Sequence, residues 1–147
     1  MKHDIILRVV AKLLMPFMLL FAVYVQFHAD FGPGGGFQAG VIAAAAIVFY
    51  SIVFGLPAGQ RLAPDWIVEK ILAAGVLLYA GVGLAGIALG GNYLDYFVLH
   101  ADPVQGQLRG IFWVEAGVAL TVAGVMLKLF YMFAGRGRDG ADAKGGT

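Results

Sequence analysis

A carboxylate stands inside a long apolar stretch: Glu115, in the run Phe112-Trp113-Val114-Glu115-Ala116-Gly117-Val118. Charged groups within membrane helices are costly, and those present commonly serve a proton or cation route. If the stretch begins near residue 108, a rise of about 1.5 Å per residue puts Glu115 about 10 Å below the helix start. A relay role competes with a structural one, in which the carboxylate bonds a neighbouring helix or pairs with Arg109. Lys128, thirteen residues further along, is expected to snorkel towards headgroups rather than meet Glu115. Glu69 and Lys70 are expected at the interface.

The second unusual feature is Phe31-Gly32-Pro33-Gly34-Gly35-Gly36-Phe37, at the mouth of the second apolar stretch. Three successive glycines reach backbone angles closed to other residues, as a close backbone approach requires. Gly32, Gly36 and Gly40 are four apart, so a helix that starts early presents a smooth stripe to a neighbour. A flexible turn is the plainer reading. A phosphate cradle is disfavoured, since no strand precedes the glycines and no Lys-Ser/Thr pair follows them.

Other chemistries find little footing. His28, Asp30, His100 and Asp102 could gather at one face, but such clusters in loops are more often solvated or hydrogen-bonded than metal-bound, and His3 falls on the opposite side. No Ser-His-Asp or paired-carboxylate pattern points to hydrolysis. The chain has no cysteine, which removes disulfides, thiolate metal sites and cysteine nucleophiles. No metal or cofactor is expected. The net charge of +1 is too small for the basic face that nucleic acid needs.

These residues must be positioned by membrane helices. Of 147 residues, 61% are apolar and 13% charged, about half the charged share of an ordinary soluble domain. The apolar residues form four blocks, over about 5–28, 36–56, 66–90 and 108–134, each long enough to cross a hydrocarbon layer about 30 Å thick. The expected fold is an all-α integral membrane bundle of four transmembrane helices over 1–134, with a disordered cytoplasmic tail over 135–147. Pro16 should kink or loosen the first helix. A cleaved signal peptide is disfavoured, because Val25-Gln26-Phe27-His28 lacks small residues at a cleavage point.

Basic residues resist translocation and orient the bundle. Lys2, Arg8 and Lys12 lie at the start, Arg61 and Lys70 flank the second loop, and Arg136, Arg138 and Lys144 follow the last block. Both termini should therefore be cytoplasmic, with the glycine run, His28, Asp95 and His100 outside. Tyr93, Tyr96 and Trp113 suit an outer aromatic belt, and Trp66 an inner one. Gly86 with Gly90, and Gly117 with Gly124, are expected to let helices pack closely. So few polar residues line the helices that the chain should be one part of a larger assembly.

The run Pro33-Gly34-Gly35-Gly36-Phe37, with Gly40 three residues on, resembles the signature of the B subunit of Mrp-type multisubunit cation/proton antiporters, the MnhB/MrpB family. Phe112, Glu115, Gly117, Val118 and Gly124 extend the likeness over nearly all four spans. It implies a small subunit of a sodium/proton antiporter in the bacterial inner membrane. Its partners would be other small membrane subunits and large antiporter-like subunits related to those of respiratory complex I. Glu115 matches an acidic position of the family, and the glycine run its turn into the second helix. The family often places a histidine three residues before the proline, whereas His28 lies five before Pro33. B-like subunits also occur in membrane-bound hydrogenases, the alternative parent complex.

Two roles follow: a contribution of Glu115 to a shared ion path, or a scaffold that holds larger subunits through glycine-lined contacts. A self-sufficient exporter is disfavoured, because small multidrug pumps carry their acid in the first helix, where this chain has only Asp4 near the start.

Overall fold

A computed structural model describes the backbone of residues 2–28 and 35–142, and the side chains of 5–28 and 35–136. Pro33, Gly34, Asp30 and residues 143–147 lie outside the described residues, as does the side chain of His3.

The first helix, α1 (Lys2–Phe27), is continuous through Pro16. Helix α2 (Gly36–Phe54) opens directly from Gly35, whose carbonyl accepts from Ala39 N at 3.0 Å. It stops at Gly55, where φ is 92°, a left-handed angle open to glycine and strained in other residues. Pro57 then sits in the first turn of a short helix, α3 (Leu56–Leu62), where its missing N–H costs nothing. The second span is thus shorter than the apolar block over 36–56, and a helix occupies the stretch between blocks where a loop is expected. Apolar composition continues across Gly55 and hides the break.

Helix α4 (Asp65–Ala88) ends on a Schellman turn: Gly91 N donates to Gly86 O and Gly90 N to Ile87 O, both at 3.0 Å. Gly90 takes the left-handed position at φ 90°, as such turns prefer. A 3₁₀ turn (Tyr96–Leu99) follows, where Phe97 N donates to Asp95 Oδ1 at 3.2 Å. The last helix, α5 (Pro103–Asp142), is capped by Asp102, whose Oδ1 accepts from Val104 N at 3.0 Å. The helix therefore starts five residues before the expected 108, because an N-cap aspartate with proline at N1 starts a helix before apolar residues become dense. At its far end the backbone stays helical to Asp142, although composition suggests disorder from 135. Glycine weakens a helix there, but no proline breaks it.

All described elements are helical, and four helices are long and apolar enough to span a membrane: Ile5–Phe27, Gly36–Phe54, Asp65–Ala88 and Pro103–Arg136. The chain is a multi-pass membrane protein. Helix α5 is central, packed by α2 on one side and α4 on the other, while α1 lies on α2 and only grazes α5. Side-chain register gives the directions. Gly36 meets Glu115 and Gly40 meets Ala119, so α2 and α5 run parallel. Leu72 meets Gly124 and Tyr79 meets Gly117, so α4 and α5 are antiparallel.

Little apolar surface is buried within the chain. A small core of Ala44, Ala63, Val68, Leu127 and Tyr131 pins α3 and the start of α4 to α2 and α5. Ile6, Val9, Leu13, Phe17, Leu20 and Phe27 of α1 are among many large exposed apolar side chains. Lipid or neighbouring subunits must cover them, since water would not tolerate so large an apolar face.

Candidate functional site

Between residues 110 and 134 helix α5 carries two charged groups, Glu115 and Lys128, thirteen residues apart and separated along the axis by about 20 Å. Each is built into a different helix contact.

Glu115 lies where α2 begins. Gly36 packs onto the Glu115 backbone so closely that an added Cβ would stand 2.7 Å from its carbonyl carbon and 2.9 Å from its Cα. One turn on, a Cβ at Gly40 would stand 2.5 Å from Ala119 O. Glycine at both positions lets the two backbones meet, as small residues do between membrane helices. Gly35 brings the carboxylate itself into the contact: a Cβ there would be 3.1 Å from Glu115 Oε1 and 3.4 Å from Gln38 Oε1. Phe27 of α1 covers this end, its ring centroid 5.5 Å from that of Phe112. Phe37 is exposed. The helix start at Pro103 puts Glu115 twelve residues in, about 18 Å along the axis, and its contact with Gly36 sets it level with the first residue of α2.

Lys128 does not simply snorkel. Its Nζ bonds Glu69 Oε1 at 2.6 Å and Asp65 Oδ1 at 3.0 Å, joining the start of α4 to α5. Asp65 also accepts from Gln60 Nε2 of α3 at 3.4 Å. One turn further, Tyr131 donates its buried hydroxyl to Ala63 O at 2.9 Å. The sequence carries a signal for this cluster in the i, i+4 pair Asp65 and Glu69, but nothing in it aligns Lys128 with them. Arg8 and Lys12 of α1 lie over the Phe54 ring at 5.8 and 5.5 Å, and Lys70 over Trp66 at 4.7 Å. Such contacts let cations cover apolar surface without leaving it.

The glycines of the helix stripes divide. Gly117 and Gly124 pack against α4: a Cβ at 117 would be 3.0 Å from Gly75 O, and one at 124 would be 2.8 Å from Leu72 Cβ. Gly86 instead faces the loop, where a Cβ would be 2.9 Å from Asn92 O. At Gly90 a Cβ would meet nothing within 4 Å among the described residues, and the residue lies beyond the helix end, so its role is the turn rather than packing. Two further glycines receive aromatic rings: Tyr93 sits on Gly83 and Tyr96 on Gly110. Burial holds the Tyr96 hydroxyl above its ordinary pKa, helped by the neighbouring phenols of Tyr79 and Tyr93.

The loop residues considered for metal binding do other work. His100 Nδ1 accepts from Asp102 N at 3.1 Å, and Asp102 caps α5. His28 stacks on Tyr24 with centroids 4.6 Å apart. Among the described residues no three His, Asp or Glu converge on a common point.

The sequence gives no hint of one further residue. Gln26 of α1 buries its amide nitrogen and oxygen, and neither has a hydrogen-bond partner among the described residues. It lines a cavity of about 240 Å³ between α1, α2 and α5, with Ala22, Gly40, Ala43, Ala119 and Ala123. A single glutamine near a helix end gives no periodic signal.

Four apolar membrane-length helices, a glycine seam between two of them and a carboxylate at its mouth define a small polytopic membrane subunit. The chain belongs to the family of domains related to the MnhB subunit of Na+/H+ antiporter, whose model matches residues 6–128. It is 29% identical over 131 residues to the Na(+)/H(+) antiporter B subunit of Alkalihalophilus pseudofirmus, covering 82% of this chain and 90% of that protein. It is 28% identical over 138 residues to a Staphylococcus haemolyticus protein provisionally named as antiporter subunit mnhB2, covering 91% and 96% respectively.

Proposed function

We propose that this chain is a membrane subunit of a multisubunit Na+/H+ antiporter and that Glu115 takes part in its ion path. The observation that carries the reading is the seating of Glu115 against Gly35 and Gly36. That contact ties a carboxylate well inside α5 to the mouth of a neighbouring helix rather than leaving it to lipid. A carboxylate held against a neighbouring helix within an apolar stretch suits a group that takes up and releases a proton or meets a cation. Relatives named as antiporter subunits favour this parent complex over a redox-linked one such as a membrane-bound hydrogenase.

Arg8, Lys12, Arg61, Lys70 and Arg136 belong to the ends of the helices that gather at the Lys128 side. By the rule that basic loops stay inside, this side faces the cytoplasm of a bacterial inner membrane, with both termini there and the glycine run outside. The exposed faces of α1 then meet larger antiporter-like subunits or lipid.

The test is Glu115→Gln in the assembled complex, with sodium-driven proton exchange measured in membrane vesicles and assembly measured alongside. Exchange should fall at least tenfold with assembly retained, since a lost proton-transfer group typically costs about 10²–10⁴-fold. Normal exchange in a fully assembled complex would remove the ion-path role.

A further inference from the structure

Gln26 has no part in the contacts described so far, yet its amide is buried and, among the described residues, unpartnered. An amide without partners in apolar surroundings is costly, so its presence calls for a use. Its depth is fixed from two sides. The neighbouring ring of Phe27 lies against Phe112, three residues before Glu115, and Gln26 lines the same cavity as Ala119, four residues after it. Gln26 therefore stands at the level of Glu115 across the α1–α5 boundary. The cavity of about 240 Å³ runs from Gln26 along Gly40 and Ala43 to Ala123. Several waters fit such a space at about 30 Å³ each, provided polar groups hold them.

We propose that Gln26 is a positioning residue for proton exchange at Glu115, holding water at the end of the α1/α2/α5 groove that lies level with the carboxylate. This rests on the ion-path reading of Glu115. The amide gains and loses no proton. Its NH₂ donates to water that solvates the ionised carboxylate, and its oxygen accepts from water once the acid is protonated, so the same group serves both states. The proton passes between Glu115 and the water. Apolar groove walls alone would stay dry.

The natural chain lacks cysteine, so a single introduced thiol reports on the groove. In the assembled complex, Ala43→Cys should react with a small water-soluble methanethiosulfonate, read as a mass shift of this chain. Adding Gln26→Met should slow that reaction about tenfold, since the retained apolar walls no longer hold water. Gln26→Met alone should lower exchange per assembled complex about tenfold and move its pH midpoint, with no further loss in a Glu115→Gln background. Gln26→Asn, which keeps the amide, should restore most of the rate.

An unreactive thiol, or a normal rate and midpoint in Gln26→Met, overturns the proposal while leaving Glu115 in place if Glu115→Gln still stops exchange. If Gln26→Met fails to assemble while Gln26→Asn assembles with the wild-type midpoint, Gln26 is an assembly contact and the proposal also fails. Unimpaired exchange in Glu115→Gln removes both readings.

Discussion

Gly36 lies on the backbone of Glu115, so near that any side chain at 36 would meet the Glu115 carbonyl carbon and Cα within 3 Å. The carboxylate is thus held by backbone contact between parallel helices α2 and α5. A change at residue 36 therefore displaces Glu115 without touching its chemistry.

Gly36→Leu should destabilise the chain by about 2 kcal/mol or more, because rigid backbone rather than a flexible side chain blocks the added atoms. Thermal unfolding in detergent measures this. A melting temperature equal to that of the wild type would mean α2 and α5 are not in close contact.

Gly75 and Gly81 lie on the same helix but should respond oppositely to alanine. A Cβ at 75 would be 2.5 Å from Thr121 Oγ1 and 2.7 Å from Gly117 O, while one at 81 meets nothing within 4 Å among the described residues. Gly75→Ala should cost roughly 1–3 kcal/mol. Gly81→Ala should stabilise by up to about 1 kcal/mol, since alanine is the better helix former. Matching melts of the two variants would contradict the α4–α5 packing.

Gly90→Ala tests the Schellman turn. The positive φ of 90° makes alanine unfavourable by about 1 kcal/mol even though space is open around it. The same substitution at Gly81 serves as its control. Retained stability in Gly90→Ala would argue that the loop after α4 has another conformation.

Lys128→Met leaves Asp65 and Glu69 facing one another without their shared cation. The variant should unfold at lower temperature, and its deficit should shrink when Asp65→Asn and Glu69→Gln are added. Because all three groups are partly exposed, high salt should narrow the difference between the wild type and the Lys128→Met variant. A salt-independent deficit would point to lost packing of the lysine stem instead.

The pH dependence at the other end has a definite sign. Tyr96 has a raised pKa in the folded chain, chiefly through burial, so folding favours its neutral form. Its contribution is intact below about pH 10, the ordinary phenol value, and declines as pH rises through the unfolded and then the folded pKa. Melts across the alkaline range that spans this value should show a shallower decline for Tyr96→Phe than for the wild type. Parallel curves would mean Tyr96 is solvated in the folded state.

The number of spans is legible in the sequence because it follows from local composition. Hydrocarbon admits only long apolar helices, so four blocks of sufficient length imply four spans whatever their packing. Gly36 and Gly40, four apart, also announce a close approach through their spacing, although not its partner. Helix ends are less legible: Gly55, Gly90 and Asp102 act through backbone angle and capping, which apolar content does not record.

Partnership across helices is decided by tertiary structure alone. Only the parallel register of α2 and α5 sets Gly36 against Glu115 rather than another turn, and only the antiparallel register of α4 and α5 brings Lys128 to Asp65 and Glu69. Gln26 shows the same limit, since a lone amide acquires meaning from the cavity around it. Composition determines which segments enter the bilayer; which side chains meet there depends on rotation and offset between helices, and those are set by packing of distant residues.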